Sequence, residues 1–393
     1  MYKRFAPRYK QGNRRFAPKQ LPQGDLLNAI RAIEITNNAR SNQVEEQYTP
    51  KNGFLDFELV HQLKDNITAK GYKIPTPIQD GAIDHILKGR DVIGIANTGT
   101  GKTAAFLIPL INKVYLNKSN KVLIIAPTRE LALQIQEELS DFSKSLGIKI
   151  VLCIGGMSLW RQKNELKQNI NFVIGTPGRI KDLIGERSLV LSAFNHVVLD
   201  EADRMVDIGF INDIKYFISL LSVDRQSLFF SATIPPKVKE ILNSFVKNPI
   251  TVSVQKQATA ENIEQRVIKA AKHEKIDKLH DLLALKEFEK VLVFGRTKWG
   301  MQKLTDELLR RGIRAGVIHG NKSQKQRQKA LASFKNNQVS VLLATDVASR
   351  GLDIPNVSHV INFDMPASFD DYIHRIGRTG RADKKGIALT FIE

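Results

Sequence analysis

Cysteine is almost absent from this chain of 393 residues: Cys153 is the only one, so no internal disulfide bond can form. No run of about 18 apolar residues occurs either, which argues against a membrane-spanning helix. The first residues, MYKRFAPRYK, lack the apolar segment of a secretory signal. These shortages indicate a protein of a reducing interior that does not enter a membrane, and we expect a cytoplasmic location.

Acidic residues are missing from the first 20 positions, which carry seven Lys or Arg. The segment repeats RFAP at Arg4–Pro7 and Arg15–Pro18 and has no helical or strand period, so we interpret residues 1–50 as a disordered basic arm. Its Phe and Arg side chains can stack on unpaired bases, although a solubilising tail or a mitochondrial transit peptide would also explain them. The net charge of +19 likewise favours a polyanionic partner, with an anionic membrane surface or mere solubility as alternatives.

Short apolar runs alternate with amphipathic stretches from about residue 51 onward. Runs of four to six aliphatic residues bounded by Gly, Pro or Asp are typical of strands buried on both faces, and their alternation with helices predicts parallel α/β sheets. A polar stretch without apolar period, SVQKQATAENIEQ, interrupts the pattern at 253–265. We therefore predict an α/β domain at 51–253, a linker at 254–263 and a second α/β domain at 264–393.

A glycine-rich loop follows the first predicted strand. The strand VIGIA runs into ANTGTGKT, from Ala96 to Thr103, and then into an apolar helix. This order is typical of a P-loop, whose backbone N–H groups bind nucleotide phosphates. We expect Lys102 to reach the β- and γ-phosphates of ATP and Thr103 to ligate Mg²⁺. Ala96 stands where the general pattern has its first glycine, and a residue this small keeps the turn possible.

The stretch HVVLDEAD supplies acidic residues at the end of another predicted strand. Four residues of the strand precede Asp200, and the ligands of α/β sheets gather at such carboxyl ends. Asp200 is a candidate Mg²⁺ ligand, and Glu201 is a candidate base for an attacking water. The alternative, in which carboxylates only cap the next helix, stays open mainly for Asp203, which can instead pair with Ser231 and Thr233.

Further motifs accompany these two in a fixed order. They are PTPIQ (75–79), PTRELALQ (127–134), GG (155–156), TPGR (176–179), SAT (231–233), VLVFGRTK (291–298), ATDVASRGLDIP (344–355) and HRIGRTGR (374–381). Together with ANTGTGKT and DEAD, the set resembles the DEAD-box family of ATP-dependent RNA helicases over roughly residues 53–393. The resemblance implies two tandem RecA-like domains, ATP and Mg²⁺ as cofactors, and a monomer that unwinds short RNA duplexes.

The resemblance also implies a nucleotide site. Gln79 would pair with the adenine edge, Tyr72 would stack on its face, and Asp353 would contact the ribose. Phe54 matches the upstream aromatic of the family, with plain core packing as an equal alternative. The phosphate loop comprises Ala96, Asn97, Thr98, Gly99, Thr100, Gly101, Lys102 and Thr103.

RNA-facing residues are implied in both domains. Contacts of this kind hold the sugar-phosphate backbone of RNA without reading its bases. The implied residues are Thr128, Arg129, Gly156, Thr176 and Arg179 in the first domain, and Arg296, Thr297 and Thr345 in the second. Coupling of ATP hydrolysis to RNA binding is implied for Ser231, Thr233, Asp203 and His374.

The last motif, HRIGRTGR, spaces three arginines evenly although it lies far along the chain from the phosphate loop. Two-domain architecture explains the separation, because an arginine of the second domain can complete a phosphate site on the first. By resemblance, Arg378 and Arg381 contact the γ-phosphate, and Arg375 is structural.

Two details depart from the family or stay undecided. Asn321 stands where the family usually has aspartate, which puts one local interaction in doubt. Trp160 and Trp299 lie beside RNA-facing motifs, where base stacking competes with packing in the core or on the surface, and we favour packing.

An RNA-binding scaffold with a dispensable ATPase, or a DNA helicase built on the same core, are the competing functions. The intact Lys102, Asp200 and Glu201 favour an enzyme, and the DEAD and PTPIQ motifs favour RNA over DNA. The natural RNA stays open, with ribosomal complexes, mRNA-decay complexes and cold adaptation as candidates.

Overall fold

The structure is a computed structural model that describes residues 48–97, 99–254, 263–346, 354, 356–380 and 385–393. The predicted basic arm, apart from its last three residues, and most of the predicted linker lie outside these ranges. The same holds for three predicted site residues, Thr98, Asp353 and Arg381.

The first sheet has the strand order β3-β4-β2-β5-β6-β1-β7, and every neighbouring pair is parallel. Its strands are β1 Val92–Ala96, β2 Val122–Ile125, β3 Ile150–Cys153, β4 Phe172–Gly175, β5 His196–Asp200, β6 Gln226–Ser231 and β7 Ile250–Val254. The second sheet has the order β10-β11-β9-β12-β13-β8 and is parallel as well. Its strands are β8 Ile263–Lys269, β9 Val291–Phe294, β10 Ala315–Ile318, β11 Val341–Ala344, β12 His359–Asn362 and β13 Gly386–Ile392.

Helices connect the strands of both sheets. Those of the first domain are α1 His61–Ala69, α2 Pro77–Leu87, α3 Lys102–Leu116, α4 Arg129–Phe142, α5 Leu159–Leu166, α6 Pro177–Gly185, α7 Ala202–Ile208, α8 Ile211–Leu220 and α9 Pro236–Phe245, with a short 3₁₀ turn at Leu191–Ala193. Those of the second domain are α10 Lys275–Ala284, α11 Lys298–Arg310, α12 Gln324–Lys335 and α13 Phe369–Ile376. The predicted fold class, two parallel-sheet α/β domains, is confirmed.

Strand β2 shows why the apolar runs become buried strands. Successive side chains of a strand point to opposite faces of the sheet. Val122 and Ile124 accordingly join the core cluster on one face, whereas Leu123 and Ile125 join the cluster on the other. Both faces of the sheet are covered by helices, so the strand needs apolar side chains on both sides. A strand that alternated apolar and polar residues would bury its polar side chains against one layer of helices.

The parallel arrangement brings the carboxyl ends of the strands to one edge of each sheet. In the first domain this edge carries Ala96, Thr176, Asp200 and Ser231, which follow or end four different strands. In the second domain it carries Arg296 and Thr345. Ligands of α/β sheets bind at such edges, so the topology gathers residues that are widely spaced along the chain. Among the described residues, no helix is both long and apolar enough to cross a bilayer.

Candidate functional site

The phosphate loop turns tightly between β1 and α3. Gly99 and Gly101 have φ angles of +84° and +92°, which glycine adopts without the steric cost that other residues meet. A side chain at position 101 would also collide with the Gln79 amide. The buried Lys102 begins α3, and its Nζ donates to the carbonyl oxygen of Ala96 at 2.7 Å, while Thr100 Oγ1 donates to Asn97 O at 2.8 Å.

Gln79 connects this loop to the start of α2. Its Oε1 accepts a hydrogen bond from Thr76 N at 2.9 Å, and its Nε2 donates to Gly101 O at 3.1 Å. The side chain is only 1% exposed. Both ends of the amide are therefore occupied within the protein, and the adenine contact, which stays a prediction, would require an exchange of partners.

The two predicted adenine-site aromatics belong to one aromatic group. Phe54 is 3% exposed and packs edge-on against Phe57 and Tyr72. Tyr72 also meets Phe142 edge-on, and its hydroxyl donates to Glu138 Oε1 at 2.9 Å. In this structure Phe54 packs in the core, as the alternative interpretation expected. Adenine stacking by Phe54 or Tyr72 stays a prediction.

Asp200 ends β5 as a nearly fully buried carboxylate, 2% exposed. Burial, and next the charge of Glu201, raise the pKa of Asp200 to about 7, although Lys102 acts in the opposite direction. A nearby cation stabilises the ionised form of such a buried carboxylate, because the cation compensates for the hydration lost on burial. Asp200, with the hydroxyl of the partly exposed Thr103 in the first turn of α3, therefore fits a Mg²⁺ ion bound together with nucleotide phosphates.

Glu201 is held in an unusual backbone conformation directly after Asp200. Its φ and ψ are both 50°, in the left-handed region where a residue other than glycine is strained. Its Oε2 accepts from Arg204 Nη1 at 2.7 Å, and both side chains are buried. Sequence reasoning missed Arg204, which its spacing of three residues at the start of α7 could have indicated.

Asp203 pairs with the SAT segment, as one of the two sequence interpretations had it. Its Oδ2 accepts from Thr233 N at 2.9 Å, Thr233 Oγ1 at 3.0 Å and Ala232 N at 3.2 Å, and its own N–H donates to Ser231 Oγ at 3.3 Å. Burial by itself would raise the pKa of Asp203, but the charges of Lys102 and Arg204, the Thr233 N–H and the charge of His374 lower it. The carboxylate is thus ionised at neutral pH and joins the first turn of α7 to the end of β6.

A cavity of about 410 Å³ lies between the two domains. It is lined in the first domain by Thr128, Arg129, Thr176 and Arg179 among others, and in the second by Gly320, Lys322 and Arg327. The structure therefore brings four of the predicted RNA-facing residues to one concave surface.

Arg129 and Arg179 of this surface are positioned by contacts with the loop at Gly155–Met157 and with α5. The Arg129 guanidinium fits so closely against Gly155 and Gly156 that a Cβ at either glycine would lie 2.6 Å from it. Arg179 Nη1 donates to Met157 O at 3.1 Å and to Gln162 Oε1 at 2.8 Å. A side chain at Gly155 would force the Arg129 guanidinium to shift, and Gly156 has in addition a φ of +81°, which favours glycine.

The remaining predicted residues lie at the carboxyl edge of the second sheet. Arg296 and Thr297 are exposed; Arg296 N donates to Asp364 Oδ2 at 2.8 Å, and Thr297 Oγ1 accepts from Gly300 N at 3.0 Å as the cap of α11. Thr345 follows β11 and is partly buried. The charge of His374, in the last turn of α13, reaches Asp203 of the first domain.

A buried ion pair joins the two domains. Arg327 Nη2 lies 2.8 Å from Glu130 Oε2, and Gln324 Nε2 donates to Glu130 Oε1 at 3.2 Å. The two residues of α12 and the glutamate of PTRELALQ lie nearly two hundred positions apart. Sequence analysis assigned no role to Glu130, because its partner is determined by the approach of the two domains. Nearby, Asn321 Oδ1 accepts from Lys298 Nζ at 2.8 Å, so the residue in place of the family aspartate still has a basic partner.

Removing this pair is expected to weaken the closed arrangement. We predict that Glu130→Gln and Arg327→Met each weaken RNA binding in the presence of an ATP analogue about ten-fold, because coupling energies of close interfacial charge pairs begin near 1.5 kcal/mol. Fluorescence anisotropy of labelled RNA measures this. The double variant should lose little more than either single variant, and strictly additive losses would contradict direct coupling of the two side chains.

Comparisons with known proteins agree with this geometry. Residues 76–241 match the family model described as DEAD/DEAH box helicase, and residues 274–383 match the helicase conserved C-terminal domain. The DEAD-box ATP-dependent RNA helicase CshA of Bacillus subtilis is 46% identical over 341 residues, which cover 86% of this chain and 69% of that protein. CshA of Limosilactobacillus reuteri is 44% identical with the same coverage.

Solved structures with the same fold include complexes with RNA. Mss116p bound to single-stranded RNA and AMP-PNP superposes with a TM-score of 0.79 at 30% identity, covering 88% of this chain and 76% of that one. Dbp5 of S. cerevisiae bound to RNA and ADP BeF3 has a TM-score of 0.77 at 31% identity, covering 86% and 88%.

Proposed function

This chain belongs to the DEAD-box family of ATP-dependent RNA helicases, and from that membership we propose that it binds single-stranded RNA and ATP across the cleft between its domains. It would locally separate short RNA duplexes and remodel RNA or RNA–protein complexes, including ribosomal or mRNA-decay complexes, while hydrolysing ATP to ADP and phosphate. A cytoplasmic monomer is part of this proposal. The observation that carries it is the interdomain cavity, which is lined by Arg129 and Arg179 of the first domain and by Lys322 and Arg327 of the second.

The side chains around the phosphate loop would each have a separate role in ATP hydrolysis. ATP with Mg²⁺ supplies the phosphoryl group and the charge neutralisation when bound. Lys102 would hold the outer phosphates, Asp200 and Thr103 would hold the ion, and Glu201 would orient and deprotonate the attacking water. Arg378, from the second domain, would stabilise the charge that develops on the phosphate oxygens.

RNA binding would be coupled to this chemistry through two sets of contacts. The cavity residues Arg129 and Arg179, with Lys322 from the other domain, present positive charge to a phosphate backbone. A strand lying there would bridge the domains and favour the Glu130–Arg327 pair. Closure in turn keeps His374 near Asp203, whose hydrogen bonds reach the SAT segment.

Two other functions compete with this one. A passive RNA scaffold does not need the buried Asp200, whose raised pKa shows that Lys102 and the Glu201 N–H compensate its charge only in part, so that the ionised form destabilises the ligand-free fold. A DNA helicase would use the same core, but the RNA-bound relatives favour RNA.

ATP hydrolysis with RNA, with DNA and without nucleic acid tests the proposal. We expect RNA to stimulate hydrolysis strongly and DNA to stimulate it little, and we expect Glu201→Gln to lower the stimulated rate about 10²–10⁴-fold, the usual contribution of a positioned general base. Equal stimulation by RNA and DNA would favour the DNA helicase. Absence of stimulation, or a wild-type rate in Glu201→Gln, would favour the scaffold.

A further inference from the structure

Both tryptophans of the chain project from the fold. Trp160 is 74% exposed and Trp299 is 72% exposed, and the chain contains no others. The interpretation of either as a core residue is wrong. Tryptophan is highly buried on average because its ring carries a large apolar area, so two rings this exposed suggest that something covers them when the protein works.

The two tryptophans occupy the same position within their helices, although α5 follows an edge strand of the first sheet and α11 follows an inner strand of the second. Trp160 is the second residue of α5, whose cap Ser158 accepts from Arg161 N at 3.3 Å. Trp299 is the second residue of α11, whose cap is Thr297. Each ring thus stands in the first turn of a helix that leaves a loop with predicted RNA-facing residues. The side-chain caps fix the direction in which each first turn leaves its loop.

The loop before Trp160 borders the interdomain cavity. Gly156 packs on the Arg129 guanidinium, and a Cβ at Gly156 would lie 3.5 Å from Gln324 Cβ of the second domain. Arg179, another cavity residue, donates to Met157 O in the same loop. Helix α5 therefore begins at the rim of the surface that the phosphate-contacting residues form.

The start of α11, which carries Trp299, contacts the rim of the interdomain cavity through a single side chain. Lys298 Nζ, one residue before the ring, donates to Asn321 Oδ1, and the cavity is lined by the residues on either side of Asn321, Gly320 and Lys322. The exposed Arg296 and Thr297, in the loop before α11, line a separate cavity of the second domain. One ring thus lies on each domain, near a loop or side chain that reaches the rim of the interdomain cavity.

We propose that Trp160 and Trp299 are stacking platforms for unpaired RNA bases at the two sides of the interdomain RNA path. The inference rests on the proposed function and extends it, because the contacts above hold only phosphates and sugars. Basic residues between the rings favour a nucleic acid over an apolar protein segment. Stacking tolerates any sequence, since every base has an aromatic face, so the platforms would add affinity without base specificity.

Intrinsic fluorescence tests the two positions separately. Trp160→Phe leaves Trp299 as the single tryptophan, and Trp299→Phe leaves Trp160. Each variant keeps an aromatic ring at the substituted position. With an ATP analogue present, we expect a short oligouridylate to quench the emission of each variant, and an abasic RNA backbone of the same length to leave it nearly unchanged. Equal quenching by both polymers, or none by either, would overturn base stacking.

Affinity measurements give a second readout. Trp160→Leu and Trp299→Leu keep apolar bulk but remove the aromatic face, so each should weaken oligouridylate binding about five-fold or more, the lower end for a lost base–aromatic stack. The phenylalanine variants should stay close to wild type. Tyr115→Leu is the matched control: Tyr115 is 39% exposed at the far end of α3 from the phosphate loop, and its loss should change nothing.

The outcomes separate the inference from the proposed function. If RNA stimulates the wild-type ATPase and the leucine variants bind RNA as tightly as wild type, stacking is wrong and the helicase function stands. If labelled RNA does not bind the wild-type protein at all, both fail. Strong quenching by an apolar peptide and none by RNA would assign the rings to a protein partner and overturn the proposal.

Discussion

Arg378→Ala is expected to lower the RNA-stimulated ATPase rate about 10³–10⁵-fold while changing the affinity for ATP little, because an arginine that acts in phosphoryl transfer contributes mainly in the transition state. A steady-state ATPase assay gives the rate, and equilibrium binding of a fluorescent ATP analogue gives the affinity. An equal loss in both would contradict a transition-state role and indicate a binding role.

The surroundings of Arg378 support this expectation. The side chain is 3% exposed, and its Nε donates to the carbonyl oxygen of His374 at 3.3 Å. Arg378 thus lies just after α13, in the motif that the family resemblance places at the γ-phosphate. Arg381, the other predicted γ-phosphate contact, lies outside the described residues and stays a prediction.

Arg375 is the matched control, since it belongs to the same motif and is equally buried. Its guanidinium makes two bonds to the Asp346 carboxylate, at 2.6 and 2.8 Å, and Nη1 donates to Asp364 O at 2.7 Å and Asn362 Oδ1 at 3.1 Å. Arg375→Ala should lower the free energy of unfolding by about 3–5 kcal/mol, as loss of one partner of a buried pair does. At a temperature where it stays folded, it should hydrolyse ATP much faster than Arg378→Ala.

Asp200→Asn is expected to have opposite effects on activity and stability. The ATPase rate should fall about 10²–10³-fold, a usual cost of removing one preorganised charged group from an active site. At mildly alkaline pH and without nucleotide, the free energy of unfolding should rise by about 1–3 kcal/mol, because the substitution removes a buried charge that its neighbours compensate only in part. Asparagine can still accept the Glu201 N–H, which lies 3.0 Å from Asp200 Oδ1.

Asp203→Asn is the control for this prediction, because the same substitution at a carboxylate three residues away should have the opposite sign. The pKa of Asp203 is lowered, so its ionised form is favoured by the fold, and the variant should lose about 1–3 kcal/mol of stability with the charge-assisted bonds from Thr233. Urea denaturation of both variants in EDTA measures the difference. Destabilisation of similar size in both would contradict the strained state of Asp200.

Local pattern was sufficient for the elements of the fold and for much of the site. Four-residue aliphatic runs such as VLII must be buried on both faces, so they predict a parallel sheet wherever helices alternate with them. Short-range sterics determine where the glycine loop turns between its strand and helix. They also place the aspartate that ends HVVLD at the tip of its strand. Those features are properties of neighbouring residues, and the structure places them at one sheet edge.

Other features depend on groups that meet only in the folded chain. The Gln79 amide donates to the carbonyl oxygen of Gly101, and Glu130 pairs with Arg327 across the domain boundary. The spacing of these residues along the sequence predicts neither contact. The sequence also could not tell that the carboxylates of Asp200 and Asp203 would be perturbed in opposite directions, because burial and hydrogen-bond donors from other segments decide the sign. The sequence by itself determined the two sheets, the phosphate loop and the family motifs, since these follow from residues adjacent along the chain. Only the tertiary structure decided the interdomain pair, the charge states of the carboxylates and the exposure of both tryptophans, since solvation and long-range contact arise when distant segments pack together.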